Sequence, residues 1–286
     1  MITQAASGPF RRFVAGVLLI AAGLASPPAA PAALAADIAD LTAHKPGSAA
    51  TIDHSAWTRI LASHVVEGAD GINRVAYARL KRDAAGDLKH YIAALEASDV
   101  KALDRPEQFA FWANLYNAKT LDIVLDRYPV RSIKDISLGG GLIAVVTGGP
   151  WKAKVTRVGG VDLSLDDIEH TLLRGTFKDP RVQYSVNCAS LGCPKLMREA
   201  FTGASLEQQL EAGARAYVNN PRGVAISHGK VKASSIYDWF AKDFGGDARG
   251  VLEHVRRYAG PELKRKLEGM SEIAEYGYDW SLNDAR

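Results

Sequence analysis

Cysteine is scarce in this sequence, because Cys188 and Cys193 are the only two among 286 residues. After residue 36 the sequence also lacks any apolar run of the roughly 20 residues that a membrane-spanning helix needs. It has no run of lysine and arginine interleaved with aromatic residues. The second absence predicts a mature chain without a transmembrane span, and the third argues against nucleic acid as a partner.

The first 36 residues have the pattern of a secretory signal peptide. Arg11 and Arg12 precede an apolar run over residues 13–24, and small residues with an Ala-Leu-Ala pattern at 33–35 follow. This order of a basic, an apolar and a small-residue segment is typical of exported proteins. We therefore expect the signal peptide to be removed and the mature chain to be periplasmic or secreted.

The mature chain is nearly neutral and large enough for one domain. The full sequence has 35 basic and 32 acidic side chains, and the signal peptide contains two arginines and no acid, so the net charge falls from +3 to +1 on its removal. A net charge this small produces an electrostatic field too weak to bind polyanions. We expect a loose leader over residues 37–53 and a single α+β domain over residues 54–286.

The distribution of apolar residues predicts an α+β fold. A long helix over residues 105–127 carries apolar side chains around most of its axis, which is typical of a buried central helix. Strands come as hairpins, around Gly159-Gly160 and around residues 228–230, and not in repeated strand–helix–strand units. We expect an antiparallel sheet built from hairpins, with the central helix buried and other helices flanking it. Further helices are predicted over residues 55–66, 77–97, 205–218, 236–244 and 247–268, and further strands over residues 182–186 and 273–280.

A short helix is predicted to begin at Ser164 and to end at Gly175. Ser164 is a suitable N-cap, and Asp167 stands three residues further on as in a capping box. At about 100° per residue, Glu169 projects within the apolar arc of this helix and His170 falls at its margin. A carboxylate on an apolar face has to be paired or protonated, so Glu169 is a candidate functional residue.

Cys188 and His170 are the candidate catalytic pair. Cys188 follows the β-rich run 182–186, so we expect its thiol at the end of a buried strand, and His170 lies 18 residues before it. A cysteine hydrolase needs a thiolate, an imidazole that takes and returns the proton, a group that orients the imidazole, and donors for the oxyanion. Asp166, one turn before His170, has the spacing to orient the ring, and Glu169 is a nearby acid.

Asn114 and Asn117 are the remaining candidates for this site. They lie close together in the predicted buried helix, where an unpartnered amide costs roughly 1 to 3 kcal/mol. Each amide must therefore bond a specific partner. One interpretation makes both residues structural clamps on loop backbone, and the other makes them groups that orient the catalytic imidazole or donate to the oxyanion.

The sequence leaves four roles open for Cys188: a disulfide with Cys193, a catalytic nucleophile, an inert buried thiol and a metal ligand. The four intervening residues form a loop short enough to bring the two Cα atoms within about 7 Å. A Cys-x4-Cys pair with one histidine lacks a clear fourth metal ligand. We predict no metal and no cofactor.

A glycine-rich stretch over residues 139–149 does not have the residue order of a phosphate-binding loop. We interpret it as a mobile loop, with a lid over a site as the alternative.

Several ordered motifs together resemble the domain of unknown function 547 family over roughly residues 70–284. These motifs are Phe111-Trp112, Asn114, Tyr116-Asn117, Pro150-Trp151, residues 165–174 with Ile168-Glu169-His170 at their core, Asp179-Pro180-Arg181, residues 187–194 reading NCASLGCP and residues 278–283 reading YDWSLN.

The resemblance implies no settled activity, but the cysteine and histidine motifs are similar to the catalytic residues of papain-like or transglutaminase-like thiol enzymes. It also implies serine in place of Cys193 in plant members, which favours Cys188 as the important thiol. This chain departs from the family pattern at Gln183, where a histidine is often found. Papain-like enzymes place the cysteine before the histidine, so a thiol enzyme on this chain would need a rearranged core.

Two functions follow as hypotheses. The first is an exported thiol-dependent hydrolase or acyltransferase that acts on amide or ester bonds of an unknown small-molecule or peptide-like substrate. The second is a non-catalytic binding or scaffold module of the cell envelope, stapled by a Cys188–Cys193 disulfide, with an aromatic groove near Trp239 and Trp280. No oligomeric state is predicted.

Overall fold

A computed structural model describes residues 37–138 and 149–285 of the protein. Helices dominate this part of the chain. The α-helices are α1 (Ser55–His64), α2 (Tyr77–Asp83), α3 (Ala85–Glu96), α4 (Arg105–Arg127), α5 (Gly175–Phe177), α6 (Leu206–Val218), α7 (Ile236–Trp239), α8 (Ala248–Tyr258) and α9 (Pro261–Lys266). A π-helix spans Asp167–Arg174, and 3-10 helices span Ile38–Thr42, Val100–Ala102, Ile133–Asp135, Pro180–Tyr184 and Ala241–Phe244.

The strands of the described residues are short and form small sheets. Three antiparallel pairs join β1 (Val65–Glu67) to β2 (Asn73–Val75), β3 (Thr156–Val158) to β4 (Val161–Leu163), and β5 (Val224–Ser227) to β6 (Lys230–Ser234). A last strand, β7 (Glu275–Gly277), pairs with β6 in parallel, with Tyr276 opposite Ala233.

This mixture of helices and small hairpin sheets confirms the predicted α+β class. The closing strand is shorter than predicted, and its parallel pairing was not expected. Helices α8 and α9 lie between β6 and β7 in sequence, and a connection of that length can return the chain to the same end of the sheet. The relation to papain-like or transglutaminase-like cores stays a prediction.

The long helix α4 is the centre of the larger core, as predicted. Asp104 caps it by accepting a hydrogen bond from the N–H of Arg105 at 2.8 Å, and Pro106 fills a first-turn position that needs no N–H. Nearly every side chain between Glu107 and Leu125 is buried. Because so little of α4 reaches solvent, its polar side chains have to be satisfied inside the protein.

The strand predicted over residues 182–186 is wrong, because the chain forms the 3-10 helix Pro180–Tyr184 there. Asp179 accepts a hydrogen bond from the N–H of Arg181 at 2.8 Å, and the fixed φ of Pro180 suits a first helical turn. Val182 and Tyr184, which suggested a strand, are buried as helical side chains. Cys188 therefore lies in a loop after a helical turn, and not at a strand end.

The helix predicted from Ser164 is present, and its capping box is confirmed. The N–H of Asp167 donates to Oγ of Ser164 at 3.1 Å, and the carboxylate of Asp167 accepts from the N–H of Ser164 at 2.7 Å. The predicted end at Gly175 is wrong, because helical turns continue to Phe177 and the chain leaves at Lys178 with a φ of 52°. The central turns have π geometry, a form often found at functional sites.

Both predicted hairpin turns are confirmed. Gly159 and Gly160 join β3 to β4 with φ of 56° and 85°, and His228 and Gly229 join β5 to β6 with φ of 51° and 72°. Positive φ at both central residues gives a turn whose twist matches that of the flanking strands. The glycines at these positions were therefore a reliable local signal.

The segment predicted as a loose leader contributes a side chain to the core. Leu41, in the 3-10 helix Ile38–Thr42, is buried, and Gln108 of α4 donates to the carbonyl of Ala43 at 2.7 Å. These contacts attach the segment to the central helix.

Of the helices described, none is both long and apolar enough to cross a bilayer. The predicted signal peptide, residues 1–36, and residues 139–148 of the glycine-rich stretch lie outside the described residues.

A second buried cluster packs around α6, α8 and the β5–β6 hairpin, and His254 of α8 lies against it. Nε2 of His254 is hydrogen-bonded to the hydroxyl of Tyr184 at 2.8 Å, and the ring packs edge-on against Phe244 with centroids 4.8 Å apart. Burial lowers the pKa of His254 from 6.5 to about 4, and the nearby Arg257 adds to the effect.

We expect acid to destabilise the protein through His254. The unfolded chain binds a proton on this ring below pH 6.5, whereas the folded protein binds it only below about pH 4. The stability that the neutral ring contributes is therefore lost as the pH falls from 6.5 to 4, and the loss approaches about 3 kcal/mol. Urea unfolding across this pH interval measures it.

His254→Gln is the matched variant, because glutamine is polar and does not titrate. Its free energy of unfolding should fall less than that of the native protein between pH 6.5 and pH 4. Parallel pH profiles for the two proteins would contradict the assignment.

Candidate functional site

The candidate site is built around residues 187–194, which we call the cysteine loop, and Asn117 of α4 anchors the chain that leads into it. Nδ2 of Asn117 donates to the carbonyl of Ser185 at 2.8 Å, and its Oδ1 accepts from the N–H of Asn187 at 2.8 Å. Asn187 in turn closes the loop by accepting from the N–H of Ala189 at 2.9 Å and donating to the carbonyl of Pro194 at 2.7 Å. Both ends of the loop are therefore fixed by amides.

A segment near the C-terminus, residues 279–283, holds the other side of the cysteine loop. The N–H groups of Leu191 and Gly192 donate to the carbonyls of Ser281 and Asp279, each at 2.8 Å. A Cβ on Gly192 would lie 2.9 Å from the N of Asp279, so the approach of the two chains requires glycine. Nδ2 of Asn283 also donates to Oδ1 of Asn187 at 3.3 Å. The loop is thus held between α4 and a segment about 90 residues later.

Cys188 and Cys193 are joined by a disulfide across this loop, with Cα atoms 6.2 Å apart. Of the four roles that the sequence left open for Cys188, the structure shows the disulfide with Cys193. Cys188 could act as a nucleophile only after this disulfide is reduced. Cys193 is 2% exposed, whereas Cys188 is half-buried. Within residues 37–138 and 149–285 no group of three or more candidate metal ligands is found.

Hydrogen-bond donors converge on the sulfur of Cys193. The N–H of Cys188 donates to it at 2.9 Å, the hydroxyl of Tyr278 at 3.1 Å and the hydroxyl of Ser190 at 3.3 Å. The Tyr278 hydroxyl also lies 3.1 Å from the sulfur of Cys188. Burial raises the pKa of Tyr278, so its hydroxyl keeps its proton.

The π-helix presents neighbouring residues to different surroundings. Glu169 is 8% exposed, and its carboxyl interacts with the hydroxyl of Tyr116 from α4. Burial raises the pKa of Glu169, although His170, Tyr116 and Arg174 oppose the shift. The side chain of His170, in contrast, is 39% exposed. The predicted burial of Glu169 and marginal position of His170 are therefore both confirmed.

His170 is surrounded by charged side chains of its own helix. Its Nδ1 accepts a hydrogen bond from Nη1 of Arg174 at 3.1 Å, because a guanidinium only donates. The same nitrogen lies 3.9 Å from Oε1 of Glu169, and Nε2 lies 3.8 Å from Oδ1 of Asp166. The Arg174 contact places the proton of the neutral ring on Nε2, toward Asp166.

Asp243 connects this helix to position 183. Arg174 binds Asp243 with two hydrogen bonds of 2.7 and 3.0 Å, and Nε2 of Gln183 donates to the same carboxylate at 2.8 Å. Burial alone would raise the pKa of Asp243, but the hydrogen bonds from Arg174 and Gln183 lower it. Gln183, which stands where the family resemblance implies a histidine, thus serves here as an amide donor to a carboxylate.

These groups face one cavity of about 160 Å³. It is lined by both cysteines, by the three polar candidates Asp166, Glu169 and His170, and by several aromatic side chains. Its other lining residues include Tyr116, Gln183, Trp151, Trp239, Phe240, Tyr278 and Trp280. The structure therefore brings together four of the six predicted site residues.

The aromatic wall consists of rings from three separate segments. Trp239 of α7 stacks on Trp280 with centroids 5.6 Å apart and packs against Tyr278 at 4.9 Å. Trp151 meets Trp280 edge-on at 5.6 Å, and the ammonium of Lys134 lies over the Trp280 ring at 5.1 Å. Trp239 remains 48% exposed. The sequence had singled out Trp239 and Trp280 as parts of one groove, and they are in contact.

Asn114 and Asn117 are buried in the core, do not line the cavity and bind backbone. Nδ2 of Asn114 donates to the carbonyl of Phe201 at 2.8 Å, and its Oδ1 accepts from the N–H of the same residue at 3.0 Å. With the bonds of Asn117 described above, both amides act as clamps on loop backbone. Their predicted role in orienting the imidazole stays a prediction.

Sequence reasoning did not identify Tyr278, Ser190 or Tyr116 as site residues. Tyr278 and Tyr116 belong to motifs that carried the family resemblance, so a signal was present. Their roles depend on contacts between residues about 50 to 90 positions apart in the chain, which periodicity does not encode.

Comparison with known proteins bears on the same residues. Residues 100–218, which include α4, the π-helix and the cysteine loop, match the model of a family described as protein of unknown function, DUF547. The match supports the resemblance carried by the motifs within these residues. No curated protein and no solved structure matches the chain.

We expect Asn117→Ala to lower the free energy of unfolding by roughly 3 kcal/mol, because it leaves a buried carbonyl and a buried N–H without partners. Asn219→Ala is the matched control. Asn219 also bonds backbone groups, the carbonyls of Arg215 and Tyr258 and the N–H of Gly260, but it is exposed. Water replaces those bonds, so the control should lose less than about 1 kcal/mol. Similar losses in urea unfolding would contradict the clamp role.

We expect Glu169→Gln to change how stability depends on pH. The raised pKa means that folded protein holds this proton at pH values where the unfolded chain has released it. The stability contributed by the protonated carboxyl is therefore fully present below the ordinary value of 4.5 and is lost as the pH rises through the raised pKa. Relative to the variant, the native protein should become less stable with rising pH.

Unfolding curves for both proteins across that range provide the measurement. The same substitution at the exposed Glu268 serves as the control for loss of one negative charge. A native-to-variant difference at Glu169 that stays constant with pH would contradict the prediction.

Proposed function

Residues 100–218 match the DUF547 family of proteins of unknown function, and from that premise we propose that the protein is an exported thiol-dependent hydrolase or acyltransferase acting on amide or ester bonds. The family supplies no activity, so the proposal rests on the site. The observation that carries it is the presence of Cys188, His170 and two carboxylates around one cavity of about 160 Å³.

Cys188 is the nucleophile in this proposal, and the active form is the reduced protein. Of the two sulfurs, that of Cys188 belongs to the more exposed residue. A thiolate is required for attack, so the disulfide to Cys193 represents an inactive, oxidised form. Reduction frees the Cys188 sulfur at the cavity wall.

The proposed reaction has two steps. The thiolate of Cys188 attacks the carbonyl carbon of the substrate, and the leaving amine or alcohol departs with a proton supplied by His170. The acyl group then remains on Cys188 as a thioester. Water releases it as an acid in a hydrolase, and an acceptor amine or alcohol receives it in an acyltransferase, with His170 taking the proton of the attacking group.

Other groups around the cavity fit supporting roles. Asp166, at 3.8 Å from Nε2 of His170, orients the ring. The hydroxyl of Tyr278, 3.1 Å from the sulfur of Cys188, is a protonated donor close to where an oxyanion would form. Asn117 acts indirectly, by fixing the backbone on both sides of position 186.

The proposed substrate is a small molecule or a peptide-like chain. A cavity of about 160 Å³ accommodates one reacting group, while Trp239 and Trp280 offer a flat apolar surface beside it. The aromatic rings provide contact area for the rest of a substrate. The proposed location is the periplasm or the exterior, and it rests on the pattern of residues 1–36.

We expect Cys188→Ala to abolish turnover of a panel of nitrophenyl esters and aminoacyl anilides assayed with reductant. His170→Ala should lower kcat by about 10² to 10⁴-fold, the usual contribution of a general acid and base. Cys193→Ala should stay active and no longer need reductant, because Cys188 is then free. His228→Ala, at an exposed hairpin turn, is the control histidine.

Full activity in Cys188→Ala would contradict the proposal. So would a reduced native protein that turns over none of the substrates while remaining folded.

A stapled binding module is the second candidate, and the disulfide together with the Trp239–Trp280 stack favours it. In that case Cys188→Ser would leave ligand binding intact, whereas Trp239→Ala would weaken it. A screen of small ligands by thermal shift, repeated on the two variants, separates this function from the enzyme.

A further inference from the structure

We propose that the Cys188–Cys193 disulfide is a thiol–disulfide exchange site, in which a low-molecular-weight alkyl thiol attacks the sulfur of Cys188 and Cys193 departs as the thiolate. The inference concerns redox chemistry and holds whether or not the site hydrolyses any bond. It rests on a difference between the two sulfurs in access and in hydrogen bonding.

Access favours attack at Cys188. Both residues contribute to the cavity wall, but Cys188 is half-buried whereas Cys193 is 2% exposed. A thiol that enters the cavity therefore meets the sulfur of Cys188 with less obstruction. Which sulfur is attacked depends on such access, and on how well the other sulfur leaves.

Hydrogen bonding makes Cys193 the better leaving group. The N–H of Cys188 points at its sulfur from 2.9 Å, and this donor cannot rotate away because the backbone of the loop is clamped by Asn187. The hydroxyl of Tyr278 lies 3.1 Å from both sulfurs and can direct its proton to the one that becomes a thiolate, so the backbone N–H is the donor that distinguishes Cys193. Hydrogen bonds to an ionised acceptor are roughly twice as strong as neutral ones, so both strengthen as the sulfur becomes a thiolate.

Ser190 reinforces this arrangement. Its hydroxyl has a single proton, which it gives to the sulfur of Cys193 at 3.3 Å, to the sulfur of Cys188 at 3.4 Å or to the oxygen of Tyr278 at 3.1 Å. When it donates to Tyr278, the Tyr278 proton is still free to point at the sulfur of Cys193. Because burial keeps the Tyr278 hydroxyl protonated, the departing sulfur has a hydroxyl donor in each arrangement.

The exchange balances with two thiols per disulfide. The first thiolate forms a bond to the sulfur of Cys188, the Cys188–Cys193 bond breaks, and its electron pair stays on Cys193. A second thiolate then attacks the thiol-derived sulfur of the mixed disulfide, which releases a small-molecule disulfide and leaves Cys188 as a thiolate. Two electrons pass from the small thiols to the protein, and in the reverse sequence a small-molecule disulfide oxidises the two protein thiols to the Cys188–Cys193 disulfide.

The size of the cavity points to a small thiol. At about 160 Å³ it is smaller than the roughly 300 Å³ at which pockets for drug-sized ligands begin. Trp239, Trp280 and Tyr278 line it, and the Tyr278 hydroxyl lies 3.1 Å from the sulfur of Cys188. A thiol on a short alkyl chain reaches Cys188 in such a space, whereas the surface of a folded partner protein does not.

Trapping the mixed disulfide tests the direction of attack. The air-oxidised protein is exposed briefly to free cysteine, quenched in acid and alkylated with N-ethylmaleimide, and the peptides are mapped by mass spectrometry. We expect the added cysteine on Cys188 and the maleimide on Cys193. The opposite or an even distribution would overturn the proposal, as would two free thiols in the air-purified protein.

A protein dithiol distinguishes the source of the thiol. The rate of reduction by free cysteine is compared with that by thioredoxin at matched thiol concentration. Reduction by free cysteine supports a small-thiol site. Reduction by thioredoxin with no reaction of free cysteine would overturn that assignment.

Tyr278→Phe tests the positioning role of the hydroxyl, with Tyr276→Phe, two residues earlier in β7, as the matched control. We expect the Tyr278 variant to react with free cysteine about tenfold more slowly, because a charge-assisted hydrogen bond to the leaving thiolate is lost. In the reduced protein, titration of the Cys193 thiolate by ultraviolet absorbance should move to higher pH in the Tyr278 variant alone. Equal rates and equal titrations for the two variants would overturn the role of Tyr278.

Discussion

Three buried asparagines, Asn117, Asn187 and Asn283, hold the cysteine loop in place, and the geometry of the site depends on them. An amide side chain offers donors and an acceptor, which match a backbone carbonyl and a backbone N–H. In a dry interior such bonds are strong, and a broken one leaves an unsatisfied group that cannot find water. The cysteine loop has no regular secondary structure, so side-chain hydrogen bonds from these asparagines, and not a backbone ladder, fix its conformation.

The π-helix Asp167–Arg174 buries the carboxylate of Glu169 and exposes the imidazole of His170, although the two residues are consecutive. Glu169 is received by Tyr116 of the central helix, and Arg174 offsets negative charge by binding Asp243 and His170. The site is therefore a junction of elements distant in sequence. Its polar groups are each supported by a neighbour that belongs to another segment or to the next helical turn.

Features with a local cause were predictable from the sequence, and features that depend on distant contacts were not. The all-round apolar pattern of α4, the capping box at Ser164 and the paired positive-φ residues of the hairpins act within a few residues. The helical turn at Pro180–Tyr184 was missed because β-branched residues outweighed the Asp-Pro start. Cys188 and Glu169 were found as candidates from their residue types, but Tyr278 comes into contact with Cys188 only when the chain folds.

The hydrogen bonds from the cysteine loop to residues 279–283 determine when the surroundings of the two sulfurs are completed. Because the chain is synthesised from its N-terminus, the loop is finished about 90 residues before the segment that holds it. Until residue 283 has emerged, both sulfurs stand in a loop that lacks half its supports and the hydroxyl of Tyr278. The hydrogen bonds that distinguish the two sulfurs in the folded protein are therefore completed only after the C-terminal segment has been made.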